Sequence, residues 1–369
     1  MNEPTSLPPM EIAGRLPRLR DRFGAAGVDA LVVTNLANIR YVTGFTGSAG
    51  ILVVRGEAAV FVTDGRYRDQ AADQLGAAGV EADIVIAATN ANAALAKAAV
   101  GATRVGLEAS DVSWSAQRRY ADGTFPGAEL VATEGLVEGL RAVKDGGEVA
   151  RIEAAAAIAD RALEATRPRL ADQPTEREFQ IELDHRMRLL GADDVSFETI
   201  VGSGPNGAKP HARPTSRRIR EGDLVVLDFG ALLDGYHSDI SRTVMVGEPS
   251  AVQARMIDVV LAAQAAGAAA VAPGLAASAV DDASRELIAE AGWGDAFLHG
   301  TGHGVGLDIH EDPRVNATST ATLRSGHVVT VEPGVYLPEH GGVRIEDTLV
   351  VTDTGSRCLT NAPKDTLLS

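Results

Sequence analysis

Short apolar runs alternate with longer stretches of small and charged residues along the first third of the chain, the mark of strands interleaved with helices. Residues 11–27 carry helical spacing, and residues 29–34 read as a buried strand. The runs at 51–54 and 58–63 read as a hairpin across Arg55-Gly56-Glu57. Asp64-Gly65-Arg66 ends the second run, and an alanine-rich helix follows to about Ala78. Residues 80–87 and 104–107 add strands with another alanine-rich helix between them, so the first 130 residues form an α/β unit with short strands. A capping position at Asp145, with Glu148 three residues on, then opens a long helix over 149–163. Beyond it, helices alternate with strong strands at 224–230, 237–246, 328–332 and 343–351. The expected fold is α/β (α+β) in two domains, residues 1–135 and 136–369.

A chain of 369 residues is long enough for two domains. Its 45% hydrophobic and 23% charged residues are those of a globular protein, and no run approaches the ~18 apolar residues of a membrane span. The opening residues, with a Glu, three prolines and no apolar core, do not read as a secretory signal. The single cysteine, Cys358, forms no intrachain disulfide, and together these features imply a cytoplasmic protein. A formal net charge of −16 argues against nucleic acid as a partner.

Asp228 and Asp239 lie on two apolar strand patterns joined by Asp234-Gly235, a favoured two-residue hairpin turn. If that turn holds, Asp239 stands opposite Gly230 and shares one sheet face with Asp228 as a diagonal neighbour. Two such acids are either edge charges in solvent or a cation site. Glu332 ends another apolar strand, and Arg344 and Glu346 share one face of the strand expected over 343–351. Carboxylates set into buried strands are costly unless paired or metal-bound. One arginine cannot neutralise four acids, whereas two divalent cations can. The glycine-rich run from His299 through His303 to His310 adds three of the chain's eight histidines. It lacks the P-loop Lys-Ser/Thr and the dinucleotide-binding spacing, and Arg314 stands where a zinc-protease helix needs its second His.

Asp228, Asp239, His303, Glu332 and Glu346, in this order and spacing, resemble the five metal ligands of the pita-bread metallopeptidases, which include methionine aminopeptidase, aminopeptidase P and prolidase. The stretch from Asp228-Phe-Gly-Ala to Asp239-Ile-Ser-Arg-Thr243, with His303-Gly-Val-Gly-Leu, Glu332-Pro-Gly and Gly342-Val-Arg-Ile-Glu346-Asp, carries the likeness over residues 136–365. Asn38-Ile-Arg-Tyr-Val-Thr-Gly-Phe45 and Thr63-Asp-Gly-Arg-Tyr67 resemble the creatinase-like N-terminal domain of aminopeptidase P, prolidase and creatinase, a domain that methionine aminopeptidases lack. The resemblance implies a creatinase-like domain followed by a pita-bread catalytic domain. Asp239 and Glu346 would bridge two divalent ions, Mn²⁺ first and Co²⁺ or Zn²⁺ as alternatives, activating a bridging hydroxide. Asp228 would complete one ion's ligands, and His303 with Glu332 the other's. Glu332 would also accept a proton, His211, His299 and His310 would act around the substrate, and Arg344 would orient the acids. The implied activity is release of the first residue from peptides with proline second, an Xaa-Pro aminopeptidase. The alternatives are an Xaa-Pro dipeptidase and, more remotely, a metal-free binding protein on the same fold. A homodimer is also implied.

Overall fold

The computed structural model describes residues 7–87 and 90–368. They fall into two compact units, one of described residues within 10–141 and one of residues 142–368 with 7–9.

The first unit is built on a six-stranded sheet: β1 (Ala30–Val33), β2 (Ile51–Arg55), β3 (Ala59–Thr63), β4 (Asp83–Ile86), β5 (Arg104–Glu108) and β6 (Glu129–Thr133). Their spatial order is β4-β3-β2-β1-β5-β6. The β2–β3 pair is the hairpin that the sequence predicts, while β1 pairs in parallel with β5, and β5 with β6. All four residues of β1 are buried, so it reads as a continuous apolar run rather than an alternating one. Helix α1 (Leu36–Thr43) starts at Asn35, whose side chain accepts from the Asn38 N–H at 3.0 Å. Helices α2 (Arg68–Ala77) and α3 (Ala91–Ala98) follow. The stretch expected as one helix over 11–27 divides into Arg15–Arg20 and Phe23–Ala26, the second ended by Gly27 in the left-handed region at φ 66°.

The second unit opens with α4 (Gly146–Thr166), whose capping box joins Asp145 and Glu148 as expected. Alanines 155, 159 and 162 on its inner face let it lie close against Phe179 and Leu183 of α5 (Glu176–Leu189) and against Leu227 and Phe229. Strands β7 (Asp194–Val195), β8 (Ile200–Ser203), β9 (Leu224–Phe229), β10 (Ala231–Leu233), β11 (Tyr236–His237) and β12 (Ile240–Met245) form two small sheets, ordered β11-β10-β7 and β12-β9-β8. Helices α6 (Ala251–Ala270) and α7 (Ala277–Glu290) pack on each other. A five-stranded sheet then contains β13 (Gly302–Gly304), β14 (Glu311–Val315), β15 (Val328–Val331), β18 (Asp347–Val351) and β19 (Ser356–Cys358), ordered β14-β13-β15-β18-β19. Between β15 and β18 the chain forms the hairpin of β16 (Gly334–Leu337) and β17 (Gly341–Arg344).

Two expected strands prove to be interrupted. The one over 237–246 breaks at Ser238-Asp239, and the one over 343–351 breaks at Ile345-Glu346. The second break has a direct cause. Register runs Val331↔Asp347 on one side and Gly334↔Arg344 on the other, leaving Glu332-Pro333 across from Ile345-Glu346. Pro333 has no N–H to continue the ladder. The Glu346 N–H turns instead to the Ser241 carbonyl at 3.1 Å, so the segment between the two sheets is tied to β12.

Candidate metal centre

The strand ends and interruptions of the second unit meet at one cavity. Asp228, Asp239, His303, Glu332, Arg344 and Glu346 line it, and so do His211, His299 and His310. Asp234 and Gly235 carry positive φ values of 46° and 71°, the backbone that a tight primed hairpin turn requires. Leu232↔His237 and Ile240↔Phe229 pair across that turn, and Asp228 pairs with Ser241. Asp239 therefore takes the diagonal position beside Asp228 that the turn implies. Across the other interruption, the register sets Glu332 opposite Glu346.

His303 reaches the acids because β13 approaches β15 closely at Gly302, where a Cβ would stand 2.0 Å from the Thr330 carbonyl oxygen. Its Nδ1 lies 3.0 Å from the Gly304 carbonyl, which fixes the proton there and turns Nε2 toward the carboxylates. Nε2 lies 3.5 Å from Asp239 and 3.4 Å from Glu332. Asp239, His303 and Glu346 are 5%, 6% and 1% exposed, and each offers a donor atom within 4.8 Å of the others.

Arg344 binds the acids together from behind. Its guanidinium pairs with Asp228 and donates to Ser241 Oγ at 2.9 Å, to Tyr336 Oη at 2.9 Å and to the Pro210 carbonyl at 3.0 Å. Ser241 Oγ donates in turn to Glu346 Oε2 at 2.9 Å. Both ring nitrogens of His299 are engaged, Nδ1 at 2.8 Å from the Gly300 carbonyl and Nε2 at 2.8 Å from Tyr336 Oη. His310 stacks edge-on against His303 with ring centroids 4.4 Å apart. His211 is exposed at the cavity wall. All the side chains that the sequence singles out thus line one space.

Two buried carboxylate oxygens there, Asp228 Oδ1 and Glu346 Oε1, have no hydrogen-bond partner. Buried acceptors of this kind are expensive unless something satisfies them. The donor set of four carboxylates and one imidazole suits divalent cations.

Residues 150–353 match metallopeptidase family M24, and residues 15–143 match the creatinase/prolidase N-terminal domain. The chain belongs to metallopeptidase family M24. It is 42% identical to the uncharacterized peptidase YqhT of Bacillus subtilis, over 96% of this chain and 99% of that one. A solved Xaa-Pro dipeptidase from Bacillus anthracis superposes with a TM-score of 0.91 at 39% identity, covering 96% of this chain and 98% of that one. A solved X-Pro aminopeptidase from Thermotoga maritima superposes with a TM-score of 0.84 at 33% identity, covering 94% and 99%. The α/β fold with a creatinase-like domain ahead of a pita-bread catalytic domain, expected from the motifs, is the fold of this family. The protein is an enzyme, a metallopeptidase that uses divalent metal.

The electrostatics of this M24 peptidase follow from its burial. Desolvation raises the Asp239 and Glu346 pKa values well above the ordinary carboxylate range, and the neighbouring acids, Asp228 for one and Asp239 for the other, push them further. Burial also works against the charge on His303, but the hydrogen bond and charge of Glu332, with the charge of Asp239, carry it up to about 9. On Glu332 burial acts upward, and His303 outweighs it, holding the carboxyl down at about 2. His310 falls to about 4 through burial and then the charges of His303 and Arg314, so it is neutral near pH 7. A divalent cation resolves the conflict at Asp239 and Glu346.

Ser241, Tyr336 and Thr330 join the site without having been singled out. Ser241 follows Asp239 at strand spacing and falls on the same face, so parity alone would find it. Tyr336 links Arg344 to His299. Thr330 receives the His303 N–H at 3.1 Å and donates to Glu332 at 3.3 Å. No local pattern marks either of these two.

Proposed function

We propose that this peptidase hydrolyses the bond on the amino side of proline, with Xaa-Pro dipeptides as its preferred substrates. The observation carrying the hydrolytic reading is the cavity that joins four carboxylates to His303 while leaving Asp228 Oδ1 and Glu346 Oε1 unpaired. In this reading Asp239 and Glu346 would serve both of two divalent ions, Asp228 would complete one set, and His303 with Glu332 would complete the other. An oxygen-rich set with one imidazole favours Mn²⁺, with Co²⁺ or Zn²⁺ as substitutes. Such ions supply an activated water and a polarised scissile carbonyl.

The chain's own groups do the rest. Glu332, on the cavity wall beside His303, is the carboxylate placed to take the proton of the attacking water. The proline nitrogen has no hydrogen and must be protonated to leave. The exposed ring of His211 is available for that delivery and the neutral ring of His310 for holding the carbonyl, because both nitrogens of His299 are paired. Arg344, anchored on Ser241 and Tyr336, keeps Asp228 in place by pairing with it directly.

Preference for proline in second place is supported by the two solved neighbours, both named for action on such bonds. Preference for dipeptides is supported by Arg314 on the cavity wall, a cation for a carboxylate one residue beyond the scissile bond, whereas Arg213 there is paired with Glu198 at 3.3 Å. The second reading, an aminopeptidase acting on longer Xaa-Pro peptides, is favoured by the Thermotoga maritima neighbour. A homodimer goes with the family resemblance, and sedimentation of the purified chain checks it.

Gly-Pro, Gly-Pro-Ala, Gly-Ala and acetyl-Gly-Pro decide among these readings. Gly-Pro should exceed Gly-Pro-Ala and Gly-Ala by at least about tenfold in kcat/KM, about 1.4 kcal/mol of transition-state binding, and the acetylated peptide should be inert. A tripeptide cleaved as well as Gly-Pro would establish the aminopeptidase, and equal rates on Gly-Ala would remove the proline preference. Chelation should abolish activity, with Mn²⁺ or Co²⁺ restoring it.

A further inference from the structure

Among the buried charges outside the cavity, Glu176 has bonds that lead back to it through the loop carrying His211. The residue is fully buried at the start of α5. Its Oε1 accepts from the Ser203 N–H at 2.9 Å, Ser203 Oγ at 2.7 Å and Asn206 Nδ2 at 3.1 Å. Its Oε2 accepts from Asn206 Nδ2 at 3.1 Å, the Thr215 N–H at 3.0 Å and Thr215 Oγ at 2.6 Å. Ser203 ends β8, Asn206 lies in the short 3-10 turn that follows, and Thr215 lies at the far end of the same loop. One carboxylate therefore closes the base of the segment 203–215.

That segment carries His211, and Arg213 and Pro214 beside it on the cavity wall. Besides the short turn at Gly204–Asn206 it has no regular structure. Beyond its base the segment is tied by the Arg344 bond to the Pro210 carbonyl at 3.0 Å, next to His211, by the Arg213–Glu198 pair at 3.3 Å and by the Arg177 bond to the Pro214 carbonyl at 3.4 Å. Burial pushes the Glu176 pKa upward, but the bonds from Thr215 and Ser203 outweigh it and keep the group ionised. Every partner is a donor, so an amide in its place would turn its own N–H groups toward one of the two ends.

We infer that Glu176 is a positioning residue for catalysis: it closes the 203–215 loop at its base and thereby holds His211 at the cavity. The inference rests on the role given to His211 above and adds the group that sets that role. Since Glu176 touches neither the metal-site acids nor His303, its loss should act on turnover and leave the metals in place.

A double-mutant cycle on the Mn²⁺-loaded enzyme tests this, using Glu176→Gln, His211→Ala and the pair, with Gly-Pro as substrate and metal content measured alongside. Glu176→Gln should lower kcat by about tenfold or more, with KM changed less than about threefold and metal content equal to wild type. The double variant should be no slower than His211→Ala alone, because the loop then has no ring left to position. Multiplying losses, or wild-type kcat in Glu176→Gln, would overturn the inference. Wild-type kcat in His211→Ala would instead overturn the role of His211, and the inference with it. Should Glu176→Gln fail to fold, Thr215→Val removes one hydroxyl bond to the same carboxylate. It should give a smaller kcat loss that again vanishes when His211 is absent, and a loss that persists there overturns the inference.

Discussion

At the residue scale, the side chains of the site divide into those that would bear on the cations and those that bear on the substrate. Asp239 and Glu346 sit among other acids with their pKa values driven upward, so each is tolerated in its ionised form only beside a cation. Asp239→Asn or Glu346→Gln should therefore release metal and eliminate turnover together, read by metal analysis and Gly-Pro hydrolysis. His211 is exposed on the wall rather than buried among the acids. His211→Ala should keep its metal and lose kcat, by about tenfold to a thousandfold. Loss of metal from His211→Ala would show that the division between the two groups is drawn in the wrong place. The four acids drew notice in the sequence because charge in an apolar strand needs a reason, and Asp234-Gly235 tied two of them to one face; His303 stood out in its glycine-rich run, and the five came together as a ligand set through the family resemblance. Tyr336 and Thr330 were not legible, since a lone hydroxyl in a buried strand has many satisfied partners to choose from. Glu176 was hidden more deeply, standing as the first residue of a helix after Thr175, where an acid needs no explanation beyond the helix dipole.

At the element scale, close approach of strands sets the geometry. Gly302 lets β13 lie against the Thr330 carbonyl, and His303 follows it toward Glu332. Gly302→Ala puts a methyl group into backbone 2.0 Å away, which cannot yield as a flexible side chain would. Overpacking of this kind costs about 1–3 kcal/mol. The variant should melt lower than wild type and bind metal more weakly, measured by calorimetry with and without Mn²⁺. An unchanged midpoint would mean that the two strands part without cost. The β2–β3 hairpin, the capped helix α4 and the β9–β12 register could be read in advance because each rests on local chemistry: a turn signal, a capping pair, an alternation. The break at Ile345-Glu346 could not, because the alternating pattern runs on through it from Val343 to Val351. Only Pro333, on the facing strand, carries the signal, and it becomes meaningful once the register is known.

At the scale of the whole molecule, acid sensitivity has a source away from the cavity. His327 is buried, with Lys144 and Arg324 near it, and these causes in that order hold its pKa down at about 4, against 6.5 for the free side chain. The folded state thus takes up its proton less readily than the unfolded chain. The stability tied to the neutral ring is fully present above pH 6.5 and is lost as the pH falls toward 4. Urea unfolding of His327→Gln should show a smaller drop in midpoint between pH 7 and pH 5 than wild type, and an equal drop would place the acid sensitivity elsewhere. Among the described residues no helix is long and apolar enough to cross a membrane.

The two unpaired oxygens, Asp228 Oδ1 and Glu346 Oε1, have a meaning for the life of the protein in a cell. A freshly made chain must close its core around four acids before any ion arrives, and in that interval it is at its weakest. Each ion that binds shifts the balance toward the closed state by mass action. When ions are scarce, more of the molecules open, and open molecules are the ones that proteases remove. The amount of this peptidase should then fall when its divalent ion is scarce, through the shorter survival of chains that stay open.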